Sequence, residues 1–290
     1  MATLEVIASG YGLIEGPRVD ERDRLYFSDV PNGGVYRRSP GGEIETLIPK
    51  RKGVGGIALN QNGGIVCSGR SLIYWDERTR TSRDLFTEWE GRPLKGLNDI
   101  QPDDHGSIFV GSLEHNALSD DKPIPGSLFR VDPDGKIAKL WEGIEVTNGL
   151  GFSPDRKLLY HADSTTYAVW VYDVTAERTV KDRRIFAKLP VGAPDGLAVD
   201  AEGGVCVAVV GLGKAQVDHG EVMRFRPDGT LDKRINVPAK MVTSVTFGGA
   251  DMRDMYIVTA DNLEDKAKKG TIFKTRFDIP GLPVPKARFN

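Results

Sequence analysis

Six related segments follow one another along this 290-residue chain. Each contains a short apolar strand, a turn rich in Asp, Asn and Gly, a second apolar strand, and a further strand that runs into another turn. The segments begin at Gly16, Gly56, Asn98, Asn148, Asp195 and Ser244. A period of roughly 40 to 50 residues is the blade length of a β-propeller. We therefore predict an all-β fold, a six-bladed β-propeller with four-stranded blades around a central channel.

The two ends of the chain are expected to complete this ring together. A leading strand, TLEVIASG, precedes the first segment, and the last segment ends in the strand TIFKTRF. Pairing these two strands would remove an exposed sheet edge. Because each blade can bury its faces only against its neighbours, residues 1–290 are predicted to form one propeller domain.

Charge and hydropathy exclude several classes of partner. The 39 basic and 41 acidic residues are interspersed and give a net charge of −2, so no basic patch for nucleic acid or anionic lipid is expected. No apolar run approaches the roughly 18 residues of a membrane helix, and the start MATLEVIASGYGLIEG does not read as a secretory signal. These features predict a cytoplasmic protein, a monomer or small homo-oligomer, that binds neither nucleic acid nor membranes.

Oxygen donors stand at the same position in four of the six segments. The innermost strand of every propeller blade runs along the channel, so the residues that open these strands gather at one mouth. Here they are Glu15, Asn98, Asn148 and Asp195. The other two segments open with small or weakly polar residues at 55–56 and 243–244, which leaves room for a ligand.

If Glu15 and Asp195 lie close together, the repulsion between their negative charges must be offset. Two carboxylates about 4 Å apart repel each other by roughly 4 kcal/mol at an effective dielectric constant of 20. A proton or a divalent cation could offset this repulsion, and the amide oxygens of Asn98 and Asn148 favour the cation because they add ligands without adding charge. Such hard donors predict one divalent metal ion, with Ca²⁺ expected first, Mn²⁺ or Mg²⁺ as alternatives and Zn²⁺ as a further possibility.

The segment VTNGLGFSPD, which starts at Val146, contains two turn signals. Asn-Gly is a strong signal for a tight hairpin, so Asn148 could be a turn residue. In the sister segments, however, the hairpins fall at DERD, QPDDHG and DAEGG, which align with SPDRK here. We therefore place the turn at SPDRK, and TNG at the opening of the inner strand.

Two segments carry insertions, at residues 113–126 and 209–220. Insertions in a repeat fold often lie on the binding face, so these are candidate rim or lid segments, with tolerated surface loops as the alternative. Glu114 and His115 begin the first insertion and are predicted to contact substrate at the mouth of the pocket.

Five stretches together resemble the SMP-30/gluconolactonase/luciferin-regenerating-enzyme family of regucalcin-like lactonases across essentially the whole chain. They are LIEGPRVDERDRLYFSDV, LNDIQPDDHGSIFVGS, TNGLGFSPDRKLLYHADS, PDGLAVDAEGGVCVA and TSVTFGGADMRDMYIVTA. The resemblance implies a six-bladed propeller that holds one divalent metal on Glu15, Asn148 and Asp195. It also implies that Asn98 contacts the substrate or a water on the metal.

One departure concerns the substrate. Sugar-lactone members similar to the animal protein have an Arg two residues before the Asn of the NDI motif, where it contacts substrate hydroxyls, but this chain has Gly96. The neighbouring Lys95 is expected to point to the other side of a strand. A less hydroxylated lactone or ester is therefore an alternative to a sugar lactone.

The leading hypothesis is metal-dependent hydrolysis of a lactone. The metal would polarise the ring carbonyl, Asp195 would accept a proton from the attacking water as general base, and Asn98 would orient the substrate. Two alternatives stay open: hydrolysis of organophosphates or aryl esters by the same electrophilic activation, and a non-catalytic propeller that binds calcium or another protein.

Overall fold

The structure is a computed structural model that describes residues 3–115, 122, 124–211 and 216–290. In this part of the chain, 26 strands form one two-stranded and six four-stranded antiparallel sheets. The six larger sheets form a ring of blades, which confirms the predicted six-bladed β-propeller. No helix among the same residues is long and apolar enough to cross a membrane.

The strands follow the repeat in order. The chain begins with β1 (Glu5–Tyr11). Blade 1 consists of β2 (Ile14–Val19), β3 (Leu25–Asp29), β4 (Gly34–Arg38) and β5 (Ile44–Pro49). Blade 2 consists of β6 (Ile57–Leu59), β7 (Ile65–Cys67), β8 (Leu72–Asp76) and β9 (Thr81–Phe86), and it is followed by the hairpin β10 (Glu88–Trp89) and β11 (Arg92–Pro93). Blade 3 consists of β12 (Leu97–Pro102), β13 (Ile108–Ser112), β14 (Gly126–Val131) and β15 (Ile137–Ile144).

The second half of the ring repeats this arrangement. Blade 4 consists of β16 (Thr147–Phe152), β17 (Leu158–Asp163), β18 (Ala168–Val174) and β19 (Val180–Lys188). Blade 5 consists of β20 (Ala193–Val199), β21 (Val205–Val210), β22 (Glu221–Phe225) and β23 (Leu231–Asn236). Blade 6 contains β24 (Val242–Gly248), β25 (Asp254–Thr259) and β26 (Gly270–Arg276). Short 3₁₀ helices follow β17 and β25, at Ser164–Thr166 and Lys266–Lys268.

The leading strand closes the ring. β1 pairs antiparallel with β26, from Glu5 opposite Lys274 to Tyr11 opposite Gly270, and becomes the fourth strand of blade 6. The predicted pairing of the two ends is therefore confirmed. The pairing joins the first and last parts of the chain in one sheet, so no blade is left with three strands.

The six inner strands contact one another in sequence around the channel, and β24 returns to β2. Glycines allow this close approach. A Cβ atom on Gly149 would lie 2.4 Å from the backbone nitrogen of Leu197, and one on Gly196 would lie 2.0 Å from Ser244 Oγ. Gly149 does not adopt a positive φ angle. The Gly of TNG is therefore required for strand packing, and it makes no turn.

The turn of this segment lies where the sister segments predict it. The backbone nitrogen of Arg156 donates to Ser153 O, and Arg156 itself has a φ of 61°. β16 ends at Phe152 and β17 begins at Leu158, so the hairpin is formed by SPDRK. The prediction for this segment is confirmed.

A C-terminal strap, residues 277–290, crosses the end of the channel opposite the strand openings. It bonds to the ends of inner strands: Leu282 N donates to Val199 O, and Ala287 N donates to Leu59 O. Asn60 fixes its tip, because its side chain donates to Phe289 O and accepts from Phe289 N, each at 2.8 Å. The Phe289 ring is buried in the apolar layer between blades 2 and 3.

Candidate functional site

The four oxygen donors predicted at the strand openings line one cavity. It has a volume of about 460 Å³ and lies at the mouth where the inner strands begin. Glu15, Asn98 and Asn148 are each the second residue of an inner strand, and Asp195 is the third residue of its strand. The repeat thus places one donor from each of blades 1, 3, 4 and 5 in the same cavity.

A common backbone irregularity accompanies these donors. In the four blades that supply a donor, the pairing of the inner strand with its neighbour shifts register near the strand opening, as in a β-bulge. Bulges turn side chains away from strict alternation and are frequent next to active sites. The shifts lie between residues 15 and 18, 97 and 100, 147 and 150, and 194 and 197.

Glu15 and Asp195 are buried carboxyl groups, 6% and 7% exposed. Burial raises the pKa of Glu15 well above its usual range, and the nearby Asp195 and Asp99 raise it further. Burial, and then Asp99, likewise raises the pKa of Asp195 well above its usual range. The two groups therefore resist simultaneous ionisation, which is the electrostatic condition that a bound cation relieves.

Asp99 is a third carboxyl group of this cluster, and the sequence did not single it out. It is 5% exposed, and burial raises its pKa to about 6 although Arg18 lies nearby. Arg18 is buried in the channel and donates to Ile100 O at 2.9 Å. Asp99 adds negative charge near the cavity, so a cation bound at Glu15 and Asp195 would be stabilised further.

Glu15 also has an unsatisfied oxygen. Its Oε2 atom is buried and has no hydrogen-bond partner among the described residues. Buried polar atoms almost always have a partner in the protein, in water or in an ion. A carboxylate oxygen that faces a cavity beside a second carboxylate fits a cation ligand.

The amide of Asn148 is oriented by neighbouring residues. Its Nδ2 atom donates to Ser164 Oγ at 2.8 Å, and the Ser164 hydroxyl in turn donates to Pro194 O at 2.7 Å. Because the hydroxyl proton is used towards Pro194, Ser164 accepts from Asn148 and fixes the orientation of the amide. Asn148 Oδ1 therefore faces Asn98, whose Nδ2 lies 2.7 Å away. Ser164 carries no periodic signal that could have identified it in the sequence.

Asn98 links two blades at the cavity. Its Nδ2 donates to Thr147 O at 2.8 Å and also to Asn148 Oδ1. The side-chain oxygen of Asn98, Oδ1, therefore points away from Asn148. A Cβ atom on Gly55 would lie 1.9 Å from that oxygen. The small opening of blade 2 thus provides the space that Asn98 occupies.

The oxygen donors at the cavity suit a hard cation. Among the described residues, no metal site consists of three or more His, Cys, Asp or Glu side chains alone. The residues at the cavity differ from such a group, because they combine two carboxylates, Glu15 and Asp195, with the amide oxygen of Asn148. All-oxygen sets of this kind are typical of Ca²⁺, Mg²⁺ and Mn²⁺.

Lys95 does not lie where alternation along a strand predicts. It precedes β12, which begins at Leu97, so strand alternation does not apply to it. The side chain lines the cavity, and its Nζ donates to Glu114 O at 3.0 Å. The expectation that Lys95 points to the other side is therefore wrong.

The two predicted residues of the first insertion differ in position. His115 lines the cavity, and its Nδ1 accepts from Ile124 N at 3.3 Å. The side chain of Glu114 is not part of the cavity wall, and this residue reaches the site through its main-chain contact with Lys95. Part of the two predicted rim segments, residues 116–121, 123 and 212–215, lies outside the described residues.

The chain is similar to several known proteins over most of its length. A 6-deoxy-6-sulfogluconolactonase from Pseudomonas putida is 32% identical over 277 residues, which cover 90% of this chain and 89% of the relative. A pentonolactonase from Haloferax volcanii is 29% identical over 268 residues, which cover 90% and 86%. Regucalcin from Agrobacterium tumefaciens, a calcium-binding protein, has the same fold, with a TM-score of 0.84 at 21% identity over 99% of this chain and 98% of that chain.

The family assignment follows from the sequence match. The model of the SMP-30/Gluconolactonase/LRE-like region matches residues 13–261, which is most of the chain. The chain belongs to the SMP-30/gluconolactonase/LRE-like family.

Proposed function

We propose that this protein is a divalent-metal-dependent lactonase whose active site is the cavity at the strand openings. One observation carries the proposal. Two buried carboxyl groups, Glu15 and Asp195, meet the oriented amide oxygen of Asn148 in one cavity, and Glu15 Oε2 lacks a partner among the described residues. Lactonase relatives at about 30% identity support the reaction class.

In this proposal, a divalent cation held by Glu15, Asn148 and Asp195 supplies electrophilic activation of the lactone carbonyl. Ca²⁺ is the proposed ion, because flexible coordination suits donors that come from three different blades. Mg²⁺, Mn²⁺ and Zn²⁺ are the alternatives. The calcium-binding relative from Agrobacterium tumefaciens supports the choice at the level of the fold.

Protein side chains supply the general base and orient the substrate. Asp195 accepts a proton from the attacking water as general base. The water oxygen bonds to the carbonyl carbon, the ring C–O bond breaks, and the leaving oxygen takes up a proton to give a hydroxy acid. Asn98 and His115 orient the substrate from the cavity wall.

Apolar side chains also line the proposed active site. Apolar surroundings strengthen the electrostatic interactions of the polar groups beside them. The apolar residues are Leu13, Val30, Leu97, Leu113, Val146 and Met241.

The experiment compares wild type, Asp195→Asn and Glu15→Gln on a lactone panel with each of the four ions. We expect hydrolysis by wild type with an added ion, loss of at least about a hundredfold in Asp195→Asn, and weaker Ca²⁺ binding by calorimetry in Glu15→Gln. Phenyl acetate and paraoxon serve as ester and organophosphate comparisons. Unchanged turnover in Asp195→Asn, or no lactone hydrolysis by wild type with any ion, would contradict the proposal.

Three further expectations accompany this function. The substrate is a small lactone, the location is cytoplasmic, and the protein is a monomer or a small homo-oligomer. Gel filtration with light scattering tests the last of these. The role of Glu114 in substrate binding also stays a prediction.

A further inference from the structure

Three cationic side chains line the same cavity as the two carboxylates. Lys52 follows blade 1, Arg70 lies between β7 and β8 of blade 2, and Lys95 precedes β12 of blade 3. All three side chains are solvent-exposed. We call Lys52, Arg70 and Lys95 the basic arc, because they come from three consecutive blades.

Hydrogen bonds hold the segments of the basic arc beside one another. The Arg51 guanidinium reaches from the segment of Lys52 to the loop of Arg70, where its Nη2 donates to Ser68 O and Ser71 O. The loop of Arg70 is joined in turn to the segment of Lys95, because Leu97 N donates a 2.7 Å hydrogen bond to Gly69 O. These bonds hold the three chain segments side by side along the cavity, whichever rotamers the three side chains adopt.

No described carboxylate forms an ion pair with a side chain of the basic arc. Lys52 and Arg70 form no ion pair or hydrogen bond with any residue that the structure describes, and the Lys95 ammonium donates to the main-chain carbonyl of Glu114. Apolar residues such as Val146 and Met241 also line the cavity. The cavity therefore combines exposed cations with apolar residues and two buried carboxyl groups.

Gly96 lines the cavity beside the basic arc and has no side chain to fill it. A Cβ atom on Gly96 would meet Leu113 only at 3.7 Å, which is an ordinary van der Waals distance. Gly96 is next to Lys95 in the chain, and the adjoining Leu97 is bonded to the loop of Arg70. A substrate group can thus lie over Gly96 within reach of cations from blades 2 and 3.

We propose that the basic arc binds an anionic substituent of the substrate, so that the preferred substrate is a lactone with a phosphate, sulfonate or carboxylate group remote from its ring carbonyl. This inference rests on the proposed lactonase function. The basic arc attracts such an anion, so it orients the substrate with its anion towards Arg70 and its ring carbonyl towards the cation site at Glu15 and Asp195.

The test uses one neutral and two anionic lactones: D-glucono-1,5-lactone, its 6-phosphate, and the lactone of D-glucaric acid. We expect wild type to have a kcat/KM at least about tenfold higher for an anionic lactone at low salt, with the preference falling as ionic strength rises. In Arg70→Gln and Lys52→Gln this preference falls about three- to tenfold, while kcat/KM for the neutral lactone stays within about twofold.

Lys188→Gln is the matched control, because it removes an exposed cation from β19, the outer strand of blade 4, and should leave the preference unchanged. Calorimetric binding of 6-phosphogluconate against gluconate gives a readout that does not depend on turnover. If wild type hydrolyses neutral and anionic lactones equally well, or Arg70→Gln lowers both equally, the inference is wrong and the lactonase proposal stands. If no lactone is hydrolysed, the lactonase proposal fails, and equal binding of the two acids then overturns the inference as well.

Discussion

The side-chain amide of Asn148 donates a 2.8 Å hydrogen bond to the hydroxyl of Ser164. The same hydroxyl donates to the carbonyl of Pro194, the residue before Asp195. One serine thus connects two candidate metal ligands from neighbouring blades, and it does so without lining the cavity itself. Outer partners of this kind commonly fix both the direction and the spacing of metal ligands.

Replacement of Ser164 by Ala tests this role. The change frees the Asn148 amide to rotate and leaves buried polar groups without a partner, so we expect Ca²⁺ affinity to fall about ten- to a hundredfold. The free energy of unfolding should fall by about 1–3 kcal/mol. Calorimetric titration with Ca²⁺ and urea unfolding measure the two effects.

Ser107→Ala is the control, since Ser107 is buried and bonds Asp132, away from the cavity. It should lower stability by a similar amount and leave Ca²⁺ affinity unchanged. Equal affinities in Ser164→Ala and Ser107→Ala would show that Ser164 has only a structural role.

Periodicity predicted the residues that share a position in the repeat. Glu15, Asn98, Asn148 and Asp195 line one cavity because each opens an inner strand, and inner strands begin at one mouth. The TNG segment was assigned correctly by the same reasoning, from the aligned hairpins of sister segments. The assignment of residues 1–290 to one domain stays a prediction.

Residues whose positions depend on irregular backbone could not be predicted. Strict alternation places Asn98 and Asp99 on opposite faces, but the register shift between residues 97 and 100 breaks the alternation. Asp99 therefore lies close enough to raise the pKa of Glu15 and Asp195, although the neighbouring Asn98 also lines their cavity. Lys95 was misplaced because it lies two residues before its strand begins. The C-terminal strap has no repeat partner, so periodicity carries no information about it.

Gly149→Ala is expected to be strongly destabilising. Its new Cβ would lie 2.4 Å from Leu197 N, a backbone atom that cannot move without shifting blade 5. Overpacking of this kind costs about 1–3 kcal/mol or more. Gly96→Ala is the matched control, because its Cβ would meet Leu113 at 3.7 Å and should change stability by less than about 1 kcal/mol. Urea unfolding of both variants measures the difference, and equal stabilities would contradict the close packing of the inner strands.

A buried histidine predicts a specific loss of stability in acid. His161 is 1% exposed, its Nε2 lies 2.6 Å from Thr147 Oγ1, and burial with the nearby Arg183 lowers its pKa to about 3. In the unfolded chain the ring takes up a proton near its usual pKa of about 6.5. The unfolded state therefore binds more protons between these values, and stability falls as pH decreases from about 6.5 towards 3.

His161→Gln keeps a polar group for Thr147 and removes this titration. We expect the stability difference between pH 7.5 and pH 4.5 to be smaller in His161→Gln than in wild type, by about 1 kcal/mol or more. His105→Gln changes an exposed histidine and should retain the acid sensitivity of wild type. Chemical unfolding at the two pH values tests this, and parallel curves for wild type and His161→Gln would contradict the assignment of a neutral buried ring.

Phe289→Ala measures how strongly the C-terminal strap stabilises the ring. Phe289 is 1% exposed and packs with Val66 and Phe129 in the layer between blades 2 and 3, while its backbone is bonded by Asn60. Removal of a buried aromatic ring costs about 3–5 kcal/mol. Val284→Ala, on the same strap but 40% exposed, should cost less than about 1 kcal/mol. Because the strap lies at the end of the channel opposite the cavity, Ca²⁺ affinity should be unchanged in Phe289→Ala at temperatures where the variant is folded. A loss of affinity in the folded variant would show that the strap also positions the ligands.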